Sequence, residues 1–539
     1  MNRSALRLLG IVAVGPLGFL LTACPPAPPD LGFTPSPETA HELIAGLPEP
    51  HATAALPDQP QPDGSLAARA YIVAPSGIYV STDGANTFPV PPQFQFDIRS
   101  TGVTGRGCPT GFISGGDVDI LVSPEGSFAT GVPGFNGQVM YAEVLAFSSL
   151  TQYANDDPDQ MIVIRSGDDG TFAGNNVQCV TITKPESTGQ MDKGSLALSF
   201  AGGTPTLWAA WQDAGKDASG SPSTLPNTWT ATIPLDPTNG RFSGGPSGPR
   251  AILPPIWSFF GGPSPIPFYM GSCTPPPATS PLFVIDGAGR GNLWATGTGD
   301  VYYTFSDMRG LGLDASSEPT TVRIYVEKLS GSSPYIACID QFQAPSLMCQ
   351  GHLDWHDPEM VIDDISGTQA VVYTRTDPLS GNQAAFLASS DLSGQTWIAS
   401  PIEQGADGDQ SHPAIALTNY TDSLDRTFSG TIAVSWYEPQ GGCFLPLVSR
   451  AARNLYPASG HVWGDTTQVV ELTSLTNSFQ TVPLSGFDFG DRGVYEYQGV
   501  THLPGYLTGG WMGVWTAPSG SAATAATQSD FDLYWGRWP

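Results

Sequence analysis

One local pattern recurs along the 539-residue chain: a hydrophobic strand, a turn that carries Ser and Asp, and an aromatic residue a few positions on. The copies are residues 78–88, 161–172 and 385–397. In such a turn Asp accepts backbone N–H bonds, Gly supplies a positive φ, and the aromatic ring covers the hairpin. Self-similarity constrains the fold strongly, because each copy is one supersecondary unit that has to stack on its neighbours.

Between these copies the chain continues as pairs of hydrophobic strands that end in aromatic residues, for example 195–200 with 207–211 and 432–436 after 414–417. Six fuller units and a shorter one near the N-terminus can be counted. The chain holds 63 Gly and 51 Pro with 13% charged residues, a balance typical of short strands joined by tight turns. We therefore predict an all-β fold, a single β-propeller with six blades favoured and seven open, closed by strands from both chain ends. A β-sandwich array is the alternative, but it needs units of about 100 residues, and the spacing here is shorter.

The three turns resemble the Asp-box, or BNR repeat, the Ser-x-Asp-x-Gly-x-Thr-Trp hairpin of sialidase-like β-propellers. Each copy departs from that pattern: the first has Ala85 and Phe88 at the Gly and Trp positions, the second is one residue short and ends in Phe172, and the third has one residue inserted before Trp397. In that family the Asp-box lies on the outside of the blade, away from the ligand face. The resemblance therefore implies a structural role for these turns.

The first 24 residues resemble the leader of bacterial lipoproteins. Arg3 and Arg7 precede an apolar run that is too short to span a membrane and ends in Leu21-Thr22-Ala23-Cys24. In that family the leader is cut before the cysteine, so the resemblance implies a lipid on Cys24 and attachment to the cell envelope. Pro25 replaces the Asp that retains lipoproteins in the inner membrane, which favours the outer membrane.

The segment after Cys24 is rich in Pro, Ala, Asp and Glu and has no sustained hydrophobic period. Such a segment cannot bury enough apolar surface to offset its ordering entropy. The predicted organisation is a signal peptide at residues 1–23, the lipidated cysteine and a disordered Pro-rich linker at 24–64, and the propeller at 65–539.

The net charge and the cysteine content limit the partners, cofactors and disulfides that we expect. The formal charge of −28, or −30 once Arg3 and Arg7 leave with the leader, argues against nucleic acid. No cofactor or metal site is predicted, although calcium remains open for Asp-rich loops such as 155–159. Six cysteines besides Cys24 in an exported chain indicate disulfides; Cys338 and Cys349 are the easiest pair to imagine, and the pairing stays open.

Acidic residues, His or Gln precede several of the predicted inner strands. In a propeller the loops before these strands surround the central funnel, so their polar groups should converge on one axis. The candidate ligand-binding residues are Asp119, Asp192, His356, Asp357, His412 and Gln498.

A sialidase-type enzyme needs further groups. In that family three arginines grip the substrate carboxylate, a Tyr paired with a Glu is the nucleophile, and an Asp is the acid/base. The Arg-Ile-Pro signature of true sialidases is absent. The resemblance points to Tyr495, Glu496, Tyr497 and Arg492 as catalytic candidates, with Arg165, Arg290 and Arg375 as further arginines.

These features lead to three hypotheses. The leading one is a surface lipoprotein whose propeller recognises extracellular glycans or proteins with little or no catalysis. The alternatives are an exo-glycosidase of the sialidase type and a scaffold subunit of an envelope complex. Whether the protein is an enzyme stays open: an arginine cluster over the funnel would favour hydrolysis, an aromatic rim would favour glycan binding, and a large apolar patch would favour a scaffold.

Overall fold

The computed structural model is almost entirely β-structure, built from short antiparallel meanders. The structure describes residues 41–45, 50–55, 68–96, 108, 112–124, 126–128, 138–155, 157–172, 176–185, 191–213, 228–252, 269–271, 273, 291–307, 321–330, 335–343, 358–364, 367–379, 383–390, 396–402, 411–421, 427–439, 444–445, 447–455, 457–458, 462–463, 468–473, 482–483, 499–503, 510–518 and 531–538.

The first strand, β1 (His41–Ala45), belongs to the last blade. The strands that come next in the chain form blades 1 to 3. Blade 1 consists of β2 (His51–Ala55), β3 (Arg69–Ala74), β4 (Gly77–Ser81) and β5 (Phe94–Gln95). Blade 2 consists of β6 (Ile113–Val122), β7 (Met140–Phe147), β8 (Gln160–Arg165) and β9 (Gln178–Thr183), with the short helix α1 (Leu150–Ala154) between β7 and β8. Blade 3 consists of β10 (Met191–Ser199), β11 (Thr206–Asp213), β12 (Thr228–Pro234) and β13 (Arg250–Ile252), with a 3-10 turn at Ala201–Gly203.

Blade 4 has a fifth strand. It consists of β14 (Tyr269–Gly271), β15 (Asn292–Ala295), β16 (Val301–Asp307), β17 (Thr321–Lys328) and β18 (Ile336–Gln343). Strand β14 pairs in parallel with β18 and so covers the outer edge of this sheet. Blade 5 consists of β19 (Glu359–Ile362), β20 (Gln369–Thr376), β21 (Gln383–Ser390) and β22 (Trp397–Pro401).

The remaining strands form two more blades and two small pairs. Next in the chain come β23 (Ser411–Thr421), β24 (Thr427–Pro439), β25 (Phe444–Leu445), β26 (Leu447–Leu455), β27 (Pro457–Ala458), β28 (Val462–Trp463), β29 (Gln468–Thr473) and β30 (Val482–Pro483). Of these, β23, β24, β26 and β29 form blade 6, whereas β25 pairs with β30 and β27 with β28. Blade 7 consists of β31 (Gly499–Leu503), β32 (Gly510–Pro518), β33 (Phe531–Trp538) and β1.

The inner strands close into a ring. Strands β2, β6, β10, β15, β19, β23 and β31 contact one another in that order, and β31 contacts β2 again. The prediction of a single all-β propeller is confirmed. In the described part of the chain the sheets with four or more strands number seven, the second of the two blade counts that the sequence leaves open.

Closure by both chain ends is confirmed, and it moves the predicted domain boundary. Strand β1 pairs with β33, with His41 opposite Trp535, and β2 is the inner strand of blade 1. The propeller therefore begins before residue 65, inside the segment predicted to be a linker. Both strands are short and lie among prolines, so their pairing partners, and not a local pattern, define them. The short N-terminal unit is thus a complete blade of four strands. A count of the fuller units in the sequence leaves this blade out and therefore favours six.

The apolar core lies between neighbouring blades. Tyr71 and Val73 of blade 1 pack with Ile120 and Ile162 of blade 2, and comparable clusters fill the other interfaces described. Phe172, from the second repeat turn, is buried against the ring of Tyr71 in the preceding blade. The aromatic residue of this turn therefore joins two blades.

Two disulfides are present among the described cysteines: Cys108–Cys179 and Cys273–Cys338. The second corrects the pair that is easiest to imagine from sequence, because Cys338 bonds to Cys273 and not to Cys349. The parallel pairing of β14 with β18 brings Cys273 beside β18, a contact that sequence distance does not indicate. Cys349 and Cys443 lie outside the described residues, as does Cys24.

Helical structure is sparse. Among the residues described, no helix has the length and apolar character needed to cross a membrane.

Candidate functional site

The seven inner strands start at the same end of a central channel, which we call the mouth. One residue from each inner strand occupies an equivalent register position there, and we call this set the mouth ring: His51, Asp119, Ser195, Asn292, Glu359, Ala414 and Gly499.

Four side chains of the mouth ring reach the backbone of the next blade. Each oxygen accepts the N–H that follows the ring residue of its neighbour: Asp119 Oδ2 from Leu196 (2.7 Å), Ser195 Oγ from Leu293 (3.0 Å), Asn292 Oδ1 from Met360 (2.8 Å) and Glu359 Oε2 from Ile415 (3.1 Å). An inner strand has no further strand beside it, so these N–H groups need another acceptor. The ring residues therefore join consecutive blades at the mouth.

Asp119 makes more of the described polar contacts than any other member of the mouth ring. It is buried, and its Oδ1 accepts the Ile120 N–H at 2.7 Å and lies 2.8 Å from Nδ1 of His51. This predicted ligand-binding residue thus holds blades 1, 2 and 3 together. His51 escapes the sequence reasoning because it lies in the segment taken for a linker.

Behind the ring, β6 and β10 are irregular. Asp117 and Lys193 are buried and have positive φ values of 29° and 56°. The Lys193 N–H donates to Asp117 Oδ2 at 3.1 Å and to Asp192 Oδ1 at 3.0 Å, which places the predicted residue Asp192 at the start of β10. Glu143 is fully buried opposite Asp119, and a Cβ at Gly194 would clash with its carboxylate. Glycine is therefore needed where β10 passes this buried acid.

The channel itself is a cavity of about 420 Å³. This volume is within the usual range for small-molecule sites. Its titratable lining groups in the described part of the chain are carboxylates and imidazoles, without Lys or Arg: Asp119, Glu359, Asp364, His51 and His502. Burial raises the pKa of Asp364, near the other end, while the Gly297 N–H at 3.0 Å opposes that shift. The described lining is acidic.

The other predicted site residues are located only in part. Arg492, Tyr495, Glu496, Tyr497 and Gln498 lie outside the described residues, in the segment that ends directly before β31, and His356 and Asp357 also lie outside them. His412 lies on β23, two positions before Ala414. Sequence reasoning missed Ser195, Asn292 and Glu359, although each stands at or directly before the start of a short hydrophobic run in the sequence, a shared position that could have identified them.

Two candidate arginines have structural roles away from the channel lining. Arg165 is fully buried and donates to the Gly240 carbonyl at 3.1 Å and to Asp168 at 2.9 Å, which links blade 2 to blade 3. Arg375 pairs with Asp340 at 2.7 Å and lies over the rings of Phe342 and Phe386. Neither forms part of a carboxylate-binding cluster at the mouth, and Arg290 lies outside the described residues.

The repeat turns lie at the end of the blades opposite the mouth, because each connects the third strand to the fourth in blades 1, 2 and 5. In the first turn Asp83 accepts the N–H groups of Asn86 and Thr87, both at 3.0 Å, and the hydroxyls of Ser81 and Thr87, both at 2.6 Å. Burial alone would raise the pKa of Asp83, but these hydrogen bonds hold it below its ordinary value. Residues 391–395 of the third turn lie outside the described residues.

Within the described part of the chain no group of three or more His, Cys, Asp or Glu side chains is arranged to hold a metal ion.

The fold defines the chain as a β-propeller, and comparison with known proteins adds resemblances at the level of the fold. No protein-family model matches the chain, and no curated protein matches it. Among solved structures, it is similar to NanB with Optactamide (9% identity, 93% of this chain and 70% of that chain, TM-score 0.35). It is also similar to the alpha-L-arabinanase of Penicillium chrysogenum complexed with arabinobiose (13% identity, 74% and 94%, TM-score 0.35) and to the GH93 alpha-L-arabinofuranosidase of Fusarium graminearum (12% identity, 74% and 92%, TM-score 0.35).

Proposed function

We propose that the protein binds glycans at the mouth of its central channel. The observation that carries this proposal is the mouth ring, which places carboxylate, amide, hydroxyl and imidazole groups around a cavity of about 420 Å³. Sugars present many hydroxyl groups, each both donor and acceptor, so a site lined by several convergent polar groups suits them.

We further propose that this glycan site is that of an exo-glycosidase. The segment with Arg492, Tyr495, Glu496 and Tyr497 leads directly into β31, whose first residue, Gly499, belongs to the mouth ring. A nucleophile on that segment would meet the sugar at the mouth. Asp119 and Glu359 place carboxylates on the wall of the cavity. Ionised carboxylates suit stabilisation of a cationic transition state better than proton donation.

Glycan binding without turnover is the second candidate. It is supported by the same hydrogen bonds, because the described carboxylates of the mouth ring are committed to joining blades and leave the chemistry to other residues. A scaffold function finds less support: the large apolar side chains that are exposed in the described residues, Val90, Leu150, Tyr153, Leu379 and Ile398, are spread over four segments.

For localisation we propose a lipid on Cys24 that holds the protein at the cell envelope, with the outer membrane favoured. The lipobox-like residues Leu21 to Cys24 support this proposal.

The test is hydrolysis of a panel of fluorogenic glycosides, sialosides included, by the full-length chain and two variants. Glu496→Gln removes the carboxylate proposed to pair with the nucleophilic tyrosine, and Glu42→Gln is a matched change on β1, the outermost strand of blade 7. Turnover that disappears in the first variant and persists in the second supports the glycosidase. Saturable saccharide binding without turnover supports the second candidate, and the lack of both refutes the glycan proposal.

A further inference from the structure

Five of the seven interfaces between inner strands have a polar side-chain contact at the mouth. At four of them a side-chain oxygen of the mouth ring accepts the neighbouring N–H at 2.7 to 3.1 Å. Between blades 1 and 2, His51 contacts Asp119, which itself accepts the Ile120 N–H. Between blades 7 and 1 the ring residue Gly499 supplies no acceptor, and the backbones approach closely there, since a Cβ built at Gly499 would lie 3.0 Å from the backbone nitrogen of Ala52.

The remaining interface lies between blades 6 and 7. The ring residue of blade 6 is Ala414, because Glu359 of blade 5 accepts the N–H that follows it, that of Ile415. A methyl group cannot accept a hydrogen bond, and among the described residues no side chain accepts the N–H of Val500. By register this N–H faces the channel, as those of Leu196 and Met360 do, and Val500 lines the cavity.

We propose that an oxygen atom of the ligand takes the place of the missing side chain and accepts the Val500 N–H beside Ala414. An N–H on a cavity wall without an acceptor costs stability unless water or a ligand satisfies it. The four equivalent N–H groups all donate to oxygen, so the same geometry suits a ligand oxygen. This inference rests on the proposed glycan site and locates it within the ring.

The charge of the cavity indicates which kind of ligand oxygen accepts this hydrogen bond. The described lining carries Asp119, Glu359 and Asp364 and lacks Lys and Arg, so a carboxylate of the ligand would be repelled. A hydroxyl group can accept from Val500 and also donate to a carboxylate of the mouth ring. The ligand is therefore a neutral saccharide and not an acidic sugar.

The test fills the gap with side chains that the ring already uses. Ala414→Ser copies Ser195 of blade 3, and Ala414→Asn copies Asn292 of blade 4. Ala399→Ser, on the outermost strand of blade 5, is the matched control. Calorimetric titration of the full-length proteins uses lactose, cellobiose, arabinobiose and 3′-sialyllactose as probes, and thermal melting reports on folding.

We expect Ala414→Ser and Ala414→Asn to lower the affinity for the neutral saccharides at least tenfold, with Tm unchanged or raised because the N–H gains an acceptor. Ala399→Ser should bind as the wild-type protein does. Wild-type affinity in both Ala414 variants overturns this inference and leaves the glycan proposal standing. Tighter binding of 3′-sialyllactose than of lactose overturns the neutral ligand, and a wild-type protein that binds none of the probes overturns both proposals. If Ala414→Asn fails to melt cooperatively, Ala414→Ser alone decides.

Discussion

Buried charged residues in this protein differ in whether the fold supplies them with partners. Asp168 receives hydrogen bonds from Arg165 and Arg241, which hold its pKa below the ordinary value although burial opposes the shift. Glu327, on β17, is half-buried with its Oε2 atom shielded from solvent, and burial raises its pKa to about 8 against the opposing charge of Arg250. A carboxyl with a raised pKa is more stable protonated, so it folds best as a neutral group.

The raised pKa of Glu327 makes stability depend on pH. Its folded-state pKa exceeds its unfolded value, so the folded protein retains a proton that the unfolded chain releases, and wild-type stability falls between about pH 4.5 and pH 8. Glu327→Gln removes this ionisation. We expect the variant to gain on the order of 1–3 kcal/mol over the wild-type protein at pH 8 relative to pH 5. Urea unfolding at both pH values measures this gain, and a pH-independent difference would contradict it.

The turns between third and fourth strands are the elements that local sequence predicts best. Their Asp, Gly and aromatic residues act within a few positions of one another, so the turns at 81–88 and 166–172 are recognisable without knowledge of the fold. Strands β1 and β2 and the Cys273–Cys338 bond escape prediction because distant segments define them. At the mouth, sequence reasoning identifies Asp119 and Asp192. Ser195, Asn292 and Glu359 are recognised only when the strand register shows which positions of the blades are equivalent.

The two described turns differ in the number of bonds to the aspartate that pairs with the turn threonine, which is Asp83 in the first turn and Asp169 in the second. Asp83 accepts from Ser81, Asn86 and Thr87, whereas Asp169 accepts only from Thr171 among the hydrogen bonds described. Asp83→Ala should therefore cost about 1–3 kcal/mol at pH 7, and Asp169→Ala should cost less. Urea unfolding ranks the two variants, and an equal or reversed order would refute the explanation.

Asp83 also predicts behaviour in acid. Because its folded-state pKa is lowered, its contribution to stability is present above the unfolded value of about 3.9 and is lost as the pH falls through the folded value. The difference in unfolding free energy between the wild-type protein and Asp83→Ala should shrink below about pH 4. A difference that stays constant from pH 7 into this range would rule out the ionised carboxylate as its source.

At the scale of the whole molecule, β1 closes the propeller. Without it, blade 7 would lose its outermost strand and the pairing that joins the two ends of the propeller, which destabilises the ring and exposes the longer strand β33 as the edge. A chain lacking residues 1–49 should melt several degrees lower than one lacking residues 1–40, which keeps β1, and should scatter more light on heating. Equal melting temperatures would show that closure does not depend on β1.

The lipid proposal is tested on the intact chain. Acyl chains contribute roughly 0.8 kcal/mol per buried methylene, so a lipidated protein partitions firmly into membranes. Cys24→Ser should move the protein from the detergent phase to the aqueous phase, whereas Cys443→Ser should not. Retention of Cys24→Ser in the detergent phase would mean that something other than this cysteine holds the protein there.

The pairing of His41 with Trp535 brings the two ends of the propeller side by side, at the end of blade 7 opposite the mouth. A circularly permuted gene could therefore start at residue 50, run through Trp538, and continue by a short linker into residues 41–45. Every strand pairing of the seven blades would be kept, while blade 7 would become one continuous meander. The new termini would then lie between β1 and β2, beside the mouth, where a reporter group could be attached within reach of the ligand.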